Sequence, residues 1–191
     1  MTTIVVVRKG PSAVIAADSL TTFGTTRLAP AYDRSPQKIV QYRDSFIGVA
    51  GSAAHQLVLE NLLERNDKLD FDGRPAIYET FRKLHPMLKE EAFLNPKEEE
   101  DDPYESSQMT VMIANPSGIF AVYSMREVFE FDRFWAIGSG RDFALGAMYA
   151  QYDRARSARE VAELGVRAGC EFDKNSDGPV RVQTVKLKGK D

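Results

Sequence analysis

Residues 2–24, which read TTIVVVRKGPSAVIAADSLTTFG, decide the fold class. Thr2–Lys9 is rich in β-branched residues, and Ser12–Ala17 is a second apolar run. Between them, Lys9-Gly10-Pro11 is a turn signal, and two such runs joined by a short turn predict a hairpin. The chain is therefore expected to open with sheet.

Outward from this hairpin, the pattern predicts strands and pairs of helices in alternating blocks. Apolar residues at helical intervals predict a helix from Ala53 and another from Pro75, with a kink or break at Pro86. The capping box Ser157-x-x-Glu160 predicts the start of the last helix. The remaining predicted strands and helices cover residues 38–42, 45–50, 109–114, 118–123, 127–131, 134–137, 140–152, 158–172 and 180–187.

This order of strands, two helices, strands, two helices and a final strand does not suit a doubly wound parallel sheet. Two antiparallel sheets packed face to face, with a helix pair covering each outer side, fit it better. The tract 25–36 is polar and punctuated by prolines, so we expect a loop or an irregular edge there. The length of 191 residues predicts one domain over 1–191. The separate blocks of strands and helices make its fold class α+β.

The composition excludes several classes of function. Lys and Arg number 25 against 28 Asp and Glu, so the chain lacks the basic footprint of a nucleic-acid-binding protein. The one cysteine, Cys170, cannot form an intrachain disulfide or a zinc site, which indicates a reducing compartment. No secretion signal and no run of 18 apolar residues is recognised. We expect a cytoplasmic protein that binds neither nucleic acid nor membrane.

Two partial motifs are interpreted as turns and not as binding sites. Gly138-Ser139-Gly140 lies between a predicted strand and a helix, but the later glycine and the acidic partner of a dinucleotide fingerprint are missing. The stretch 173–178 matches the first half of an EF-hand loop, but its twelfth position is Thr184 instead of Glu.

Other chemistry-bearing residues also have structural interpretations. His55 and His85 lie far apart and no G-x-S-x-G elbow is present, so histidine-assisted hydrolysis has little support. His55, at a helix start, is expected to cap or pack, and Cys170 is expected to be inert core. The acidic run Glu98–Asp102 is expected to be solvated surface.

Thr2 has a second interpretation besides the start of a strand. It is small enough for removal of Met1, which would leave one residue carrying both a hydroxyl and a free α-amine. An α-amine titrates near 7.7–8.0, so much of it is neutral at physiological pH. Through a bridging water it can take the hydroxyl proton, which makes the threonine a nucleophile without a histidine.

Five blocks of the sequence support this second interpretation. They are Ala16-Ala17-Asp18-Ser19, Lys38-Ile39, Val49–Ala54, Ile137–Gly140 and Asp173-x-x-Ser176-x-Gly178, in this order after the opening Thr-Thr. Together they resemble proteasome β subunits and the bacterial HslV-type peptidase, and most of all the small bacterial β-proteasome homologues. The resemblance spans nearly the whole chain.

The resemblance implies an N-terminal nucleophile hydrolase with a four-layer αββα sandwich. It implies that Thr2 attacks a peptide carbonyl with its own amine as base, that Lys38 places a positive charge beside the hydroxyl, and that Asp18 orients that lysine. The backbone N–H of Gly51 would form the oxyanion hole. The residues that would hold the amine and its water are Ser139, Asp173 and Ser176.

The segment between Asp18 and Lys38 is a few residues longer than is usual in this family. Because of this difference two cations come into question, Lys38 and the nearby Arg34. Lys38 is predicted to be the counterpart of the family's lysine. Lys38 precedes the apolar Ile39-Val40, whereas Arg34 lies in a polar loop.

The resemblance also implies a substrate groove and a cation site. The groove would be bordered by Thr21, Thr22, Val49 and Ala53. Because Val49 and Ala53 are small and apolar, an apolar side chain before the cleaved bond is expected. No cofactor is required for the reaction. The backbone carbonyls of Cys170, Asp173 and Ser176 match a structural Na⁺ or Mg²⁺ site of relatives.

Family members enclose their nucleophile, so a double ring of identical subunits is expected, with a preference for 14 subunits in two heptamers. Peptides or unfolded proteins would be the substrates, and the sequence leaves open whether an ATPase unfoldase supplies them. The start at Met-Thr predicts that no propeptide is processed. Two alternatives remain open: a non-catalytic ring subunit, and an N-terminal nucleophile amidase that acts on a small molecule.

Overall fold

The structure is a computed structural model that describes residues 2–97 and 101–189. Residues 98–100, which carry most of the acidic run, therefore lie outside the described part. The strands and helices are β1 (Thr3–Lys9), β2 (Ser12–Ala17), β3 (Thr21–Phe23), β4 (Thr26–Leu28), β5 (Ile39–Tyr42), β6 (Ser45–Ala50), α1 (Ala53–Arg65), α2 (Arg74–Glu90), β7 (Thr110–Asn115), β8 (Gly118–Val122), β9 (Val128–Glu130), β10 (Phe134–Gly138), α3 (Arg141–Gln151), α4 (Ala158–Phe172) and β11 (Arg181–Lys186).

Two antiparallel sheets form the centre of the molecule. One sheet has the strand order β10-β1-β2-β11, and the other runs β5-β6-β7-β8-β9. The opening hairpin lies at the middle of the first sheet, where β1 pairs with β2 on one side and with β10 on the other. The predicted hairpin is thus confirmed, and its two strands are the most buried of their sheet.

Alternation along the strands divides the interior into three apolar layers. On β1, Ile4 and Val6 face the second sheet, whereas Val5 and Val7 face the helices α3 and α4. Apolar residues on the opposite faces of β7 pack in the same way, towards the first sheet and towards the helices α1 and α2. Because side chains alternate with period two, one strand serves two layers.

The two helix pairs cover the outer faces of the sheets. Helices α1 and α2 bury Leu59, Leu62 and Ile77 against the second sheet. Helices α3 and α4 pack against each other and against β1, burying Met148 and Val161. The predicted four-layer αββα sandwich is therefore confirmed, and it places the start of β1 between a sheet and the α3–α4 pair.

The structure refines two local predictions. Within the tract 25–36, predicted to be a loop or an irregular edge, lie β4, which pairs with β3 in a separate two-stranded sheet, and a turn of 3₁₀ helix at Pro30–Tyr32. Helix α2 continues through Pro86 to Glu90, so of the predicted kink or break near His85 the break does not occur. The buried apolar residues on both sides of the proline, Leu84 and Leu88, hold the helix against the core across this position.

Within residues 2–97 and 101–189, no helix is long and apolar enough to cross a membrane.

Candidate active site

Thr2 immediately precedes β1, and only 3% of its surface is exposed. The hairpin register pairs Ile4 with Ala17, so Asp18, the residue after β2, lies opposite Thr3 and its side chain reaches the neighbouring Thr2. The backbone N–H of Asp18 donates to the Thr3 carbonyl at 3.2 Å. The opening hairpin therefore brings the predicted nucleophile and its predicted carboxylate together.

The Thr2 hydroxyl is held between a carboxylate and an ammonium group. Thr2 Oγ1 donates to Asp18 Oδ1 at 2.5 Å, and Lys38 Nζ donates to Thr2 Oγ1 at 2.9 Å. Lys38 Nζ also donates to both oxygens of Asp18, at 2.8 and 2.9 Å. The three side chains form a closed triangle, which is the arrangement expected of an activated hydroxyl nucleophile and its orienting groups.

The backbone holds the Asp18 carboxylate in this orientation. Thr3 N donates to Asp18 Oδ1 at 2.9 Å, and the N–H groups of Leu20 and Asp177 donate to Asp18 Oδ2 at 3.1 and 3.3 Å. Asp18 is fully buried, so these bonds replace the water it has lost. A carboxylate fixed by three backbone donors and one lysine cannot rotate away from Thr2.

Lys38, and not Arg34, lies beside the Thr2 hydroxyl. The Lys38 side chain is 11% exposed, and burial lowers the pKa of its amine below the ordinary value, although Asp18 acts in the opposite direction. Arg34 lies in the loop before β5 and is exposed. The longer loop therefore does not displace the lysine from the position predicted for it.

A second polar cluster lies next to Thr2 and joins three of the predicted residues. Ser139 Oγ donates to Asp173 Oδ2 at 2.6 Å, and Ser176 Oγ donates to the same oxygen at 2.8 Å. Ser139 Oγ also lies 3.4 Å from the Thr2 carbonyl oxygen. The cluster thus combines the β10–α3 turn with the turn after α4, as the resemblance implied.

The surroundings of the Asp173 carboxyl favour its charged form. Burial opposes its charge, but hydrogen bonds from Ser139, Ser176 and Asn175 outweigh burial and hold its pKa below the ordinary value. Asn175 N donates to Asp173 Oδ1 at 3.2 Å, which is the Asx-turn geometry expected of the stretch 173–178 instead of an EF-hand loop.

The β10–α3 turn encloses the Thr2 backbone closely. Gly138 has a φ of +91°, and a Cβ atom built on it would lie 2.0 Å from the Thr2 carbonyl oxygen. Only glycine satisfies both conditions at this position. Gly140 ends the turn, and α3 begins at Arg141, so the sequence Gly138–Gly140 is the predicted strand-to-helix turn.

A cleft of about 330 Å³ opens in front of Thr2. Its walls include the four residues that were predicted to border the substrate, namely Thr21, Thr22, Val49 and Ala53, together with Lys38 and Gly51. Val49 and Leu57 give one side an apolar surface. The structure thus collects these residues around one opening, and their roles in binding remain predictions.

Gly51 lies at the amino end of α1, where the helix points at the cleft. The N-cap of α1 is Ser52, whose backbone N–H donates to His55 Nδ1 at 3.2 Å, so His55 caps the helix as predicted. A Cβ atom on Gly51 would lie 2.8 Å from that nitrogen, which favours glycine here. The positive end of the α1 dipole lies beside the cleft and favours negative charge there, so the oxyanion role predicted for the Gly51 N–H is compatible with this position.

The carbonyls predicted to bind a cation lie where α4 ends. The helix ends at Phe172, and the Asp173 carbonyl accepts from Ser176 N at 3.0 Å. Of the three carbonyls only that of Cys170 belongs to the last turn of the helix, where carbonyls have no partner within the helix. Backbone carbonyl oxygens are ligands that hard cations such as Mg²⁺ accept, so the donor type fits such an ion, and the site itself stays a prediction. Burial raises the pKa of the Cys170 thiol to about 11, in keeping with an inert cysteine.

Two other contacts at this site involve residues to which the sequence pattern gives no role. Thr3 Oγ1 lies 2.7 Å from Ser176 Oγ and is fully buried, although Thr3 was interpreted only as a strand residue. Arg27 forms an ion pair with Asp177, which joins the β3–β4 hairpin to the turn after α4. A polar residue on the same side of β1 as Val5 and Val7 is the sequence signal that points to Thr3.

Comparisons with known proteins show the family to which this fold belongs. The family model of the proteasome subunit matches residues 1–176. The solved structure of Thiobacillus denitrificans BPH has a TM-score of 0.91 at 40% identity, covering 98% of this chain and all of that one. The same protein in complex with epoxomicin also gives 0.91, at 39% identity and with the same coverage.

Two HslV proteins extend the likeness. The ATP-dependent protease subunit HslV of Roseobacter denitrificans (strain ATCC 33942 / OCh 114) is 26% identical over 186 residues, which are 96% of this chain and 93% of that protein. The HslV structure from Trypanosoma brucei has a TM-score of 0.73 at 21% identity, covering 96% of this chain and 99% of that one, and shows the fold alone. The chain belongs to the proteasome subunit family, within the superfamily of HslV-type threonine peptidases.

Proposed function

We propose that this protein is a threonine endopeptidase that hydrolyses peptide bonds with Thr2 as its nucleophile, inside a chamber formed by rings of identical subunits. One observation carries the proposal: the Thr2 hydroxyl oxygen lies 2.5 Å from Asp18 Oδ1 and 2.9 Å from Lys38 Nζ. A strand residue without a chemical role would not need a buried ion pair on its hydroxyl.

The proposed reaction begins after Met1 has been removed. The Thr2 hydroxyl turns its proton from Asp18 to a bridging water, which passes a proton to the α-amine while Oγ1 attacks the peptide carbonyl carbon. The carbonyl oxygen becomes an oxyanion that the Gly51 N–H stabilises. When the C–N bond breaks, the protonated amine gives its proton to the leaving nitrogen and an ester on Thr2 remains. Water then hydrolyses this ester and restores the hydroxyl.

Lys38 and Asp18 support both steps through charge. The ammonium group of Lys38 stabilises negative charge that develops on Oγ1, and it lowers the pKa of the nearby amine so that more of it is neutral. Asp18 keeps that ammonium group charged and oriented, because a buried lysine without a partner tends to lose its proton. Ser139, Asp173 and Ser176 hold the amine and its water.

The cleft in front of Thr2 indicates the kind of substrate. Val49, Ala53, Thr21 and Thr22 all line this cleft. The small apolar Val49 and Ala53 support the proposal that an apolar side chain precedes the cleaved bond, and Thr21 and Thr22 are proposed to border the peptide backbone. Peptides and unfolded proteins are therefore the proposed substrates. A Na⁺ or Mg²⁺ ion on the carbonyls of Cys170, Asp173 and Ser176 would stabilise the turn that carries the second polar cluster.

We further propose a double ring of identical subunits, with 14 subunits in two heptamers, in the cytoplasm. The similarity to HslV, named as a subunit of an ATP-dependent protease, supports an assembly and raises the question of an ATPase partner. The related BPH of T. denitrificans has been solved with epoxomicin bound, which supports a ligand-binding cleft in this chain as well.

The experiment combines size and activity. Fractions from gel filtration are assayed with a fluorogenic peptide, and hydrolysis should elute at a size many times that of the 21.4 kDa subunit. A monomer or dimer that hydrolyses small amides but not peptides would instead indicate the amidase. A large assembly without any hydrolysis would indicate a non-catalytic ring subunit.

A further inference from the structure

Thr3 is a polar residue on a face of β1 that is otherwise apolar. It lies on the side of β1 that carries Val5 and Val7, which pack against α3 and α4. Thr3 is fully buried there. A buried hydroxyl costs free energy unless it forms hydrogen bonds, so the contact that Thr3 makes defines its role.

The neighbouring Asp173 carboxylate decides which hydroxyl donates in the hydrogen bond between Thr3 and Ser176. Thr3 Oγ1 lies 2.7 Å from Ser176 Oγ, and Ser176 Oγ itself donates to Asp173 Oδ2 at 2.8 Å. The distance alone allows either hydroxyl to donate in the Thr3–Ser176 contact. A serine hydroxyl has one hydrogen and a carboxylate is the stronger acceptor, so the Ser176 hydrogen is assigned to Asp173 and Thr3 Oγ1 donates to Ser176 Oγ. The three groups form a directed chain that starts at Thr3, passes through Ser176 and ends at Asp173.

Two glycines leave just enough space for the Thr3 side chain. A Cβ atom on Gly140, at the start of α3, would lie 2.0 Å from Thr3 Oγ1. A Cβ atom on Gly169, near the end of α4, would lie 2.4 Å from the same oxygen. Because two helices approach the hydroxyl this closely, its position is fixed relative to both turns of the site.

We propose that Thr3 is a positioning residue for the Thr2 amine. Its hydroxyl donates to Ser176 and so fixes the rotation of the Ser176 hydroxyl, which leaves one lone pair of Ser176 Oγ available to the amine or its water. Thr3 is joined to Thr2 by a peptide bond, so the same residue sets the distance between the nucleophile and the cluster that holds its base. This inference rests on the proposed function of Thr2.

Two substitutions separate positioning from packing. Thr3→Val keeps the shape of the side chain and removes the hydroxyl, whereas Thr3→Ser keeps the hydroxyl and removes a methyl group. If Thr3 positions Ser176, kcat should fall about tenfold in Thr3→Val, the effect of one lost hydrogen bond, with KM unchanged. Thr3→Ser should retain activity close to that of the wild type. If Thr3 only packs, the valine variant should be the active one.

The same assembled variants are then combined with Ser176→Ala. Because Thr3 is proposed to act through Ser176, adding Thr3→Val to Ser176→Ala should cause no further loss of kcat. An additional tenfold loss would overturn the proposal, and so would a Thr3→Ser variant as inactive as Thr3→Val. Thermal unfolding of each variant identifies any that has lost its fold, in which case the comparison of Thr3→Ser with the wild type decides.

Labelling with a β-lactone distinguishes this inference from the function on which it rests. Acylation of wild-type Thr2 should be about tenfold faster than acylation of Thr2 in Thr3→Val, for the same reason as hydrolysis. Equal rates in both proteins would overturn the positioning role alone. No acylation of the wild type would overturn the proposed function, and this inference with it.

Discussion

Extending the chain by a few residues before Thr2 is expected to abolish peptide hydrolysis while the fold and the assembly persist. The extension converts the Thr2 nitrogen into an amide, which cannot accept a proton, so the hydroxyl loses its base. The expected loss is roughly 10⁴-fold or more, as when a nucleophile or its base is removed from other covalent hydrolases. Thr2→Ala should show an equal loss, measured with the same fluorogenic peptide.

The matched control carries the same added residues at the carboxyl terminus and should be fully active. A sharper control is a removable fusion whose cleavage leaves Thr2 as the first residue, because activity should return when the fusion is cut. Hydrolysis that continues unchanged in the extended protein or in Thr2→Ala would remove Thr2 from the mechanism.

Replacement of Lys38 by alanine should cost on the order of 10²–10⁴ in kcat, the range for losing a positioned acid–base group. Lys38 Nζ is 2.9 Å from Thr2 Oγ1, so its loss removes the positive charge that stabilises the developing alkoxide. The substitution also leaves the fully buried Asp18 carboxylate without its ion-pair partner, which destabilises the fold. Hydrolysis is therefore compared only among variants that assemble.

Arg34→Ala is the matched control, since Arg34 lies in the same loop and is exposed. It removes one positive charge from the same segment and should leave hydrolysis within about twofold of the wild type, as expected for an exposed side chain. A neutral side chain of similar length, Lys38→Met, fills the space of the stem and separates the effect of charge from that of volume. An inactive Arg34→Ala with an active Lys38→Ala would reverse the assignment of the cation.

The layers of the fold could be predicted because the strands and helices that form each layer are determined by local sequence patterns. The β-branched runs with Gly10-Pro11 between them predict the opening hairpin, and the capping box at Ser157 predicts the start of α4, where Ser157 Oγ accepts from Glu160 N at 3.1 Å. The alternation on β1 then determines which face meets the second sheet and which meets the helices.

The failures have physical reasons that lie beyond local patterns. A proline inside a helix often ends it, but the apolar residues before and after Pro86 are anchored in one core, so tertiary packing outweighs the local cost and the helix continues. The strands β3 and β4 are only three residues long each, too short for periodicity to identify among threonines and glycine.

The candidate site also contains some residues that could be predicted from the sequence and others that could not. Thr2, Asp18 and Lys38 could be assigned because the resemblance supplies their order, although 36 positions separate the first from the last. The hydroxyl of Thr3 and the crowding at Gly138, Gly140 and Gly169 could not, because they arise where elements distant in sequence approach within contact distance. Such contacts leave only a weak trace, such as a polar residue on an apolar face.

The most direct test of Thr2 as an N-terminal nucleophile is an intact-mass spectrum of the purified protein after treatment with a peptide epoxyketone. The reagent carries two electrophilic carbons, so stable attachment draws on a hydroxyl and a free amine of the same residue. We expect a protein that lacks Met1 and carries one reagent per chain, with the added mass on the peptide that begins at Thr2 and absent from Thr2→Ala. A protein that lacks Met1 and remains unmodified, or that is modified elsewhere, would contradict the account.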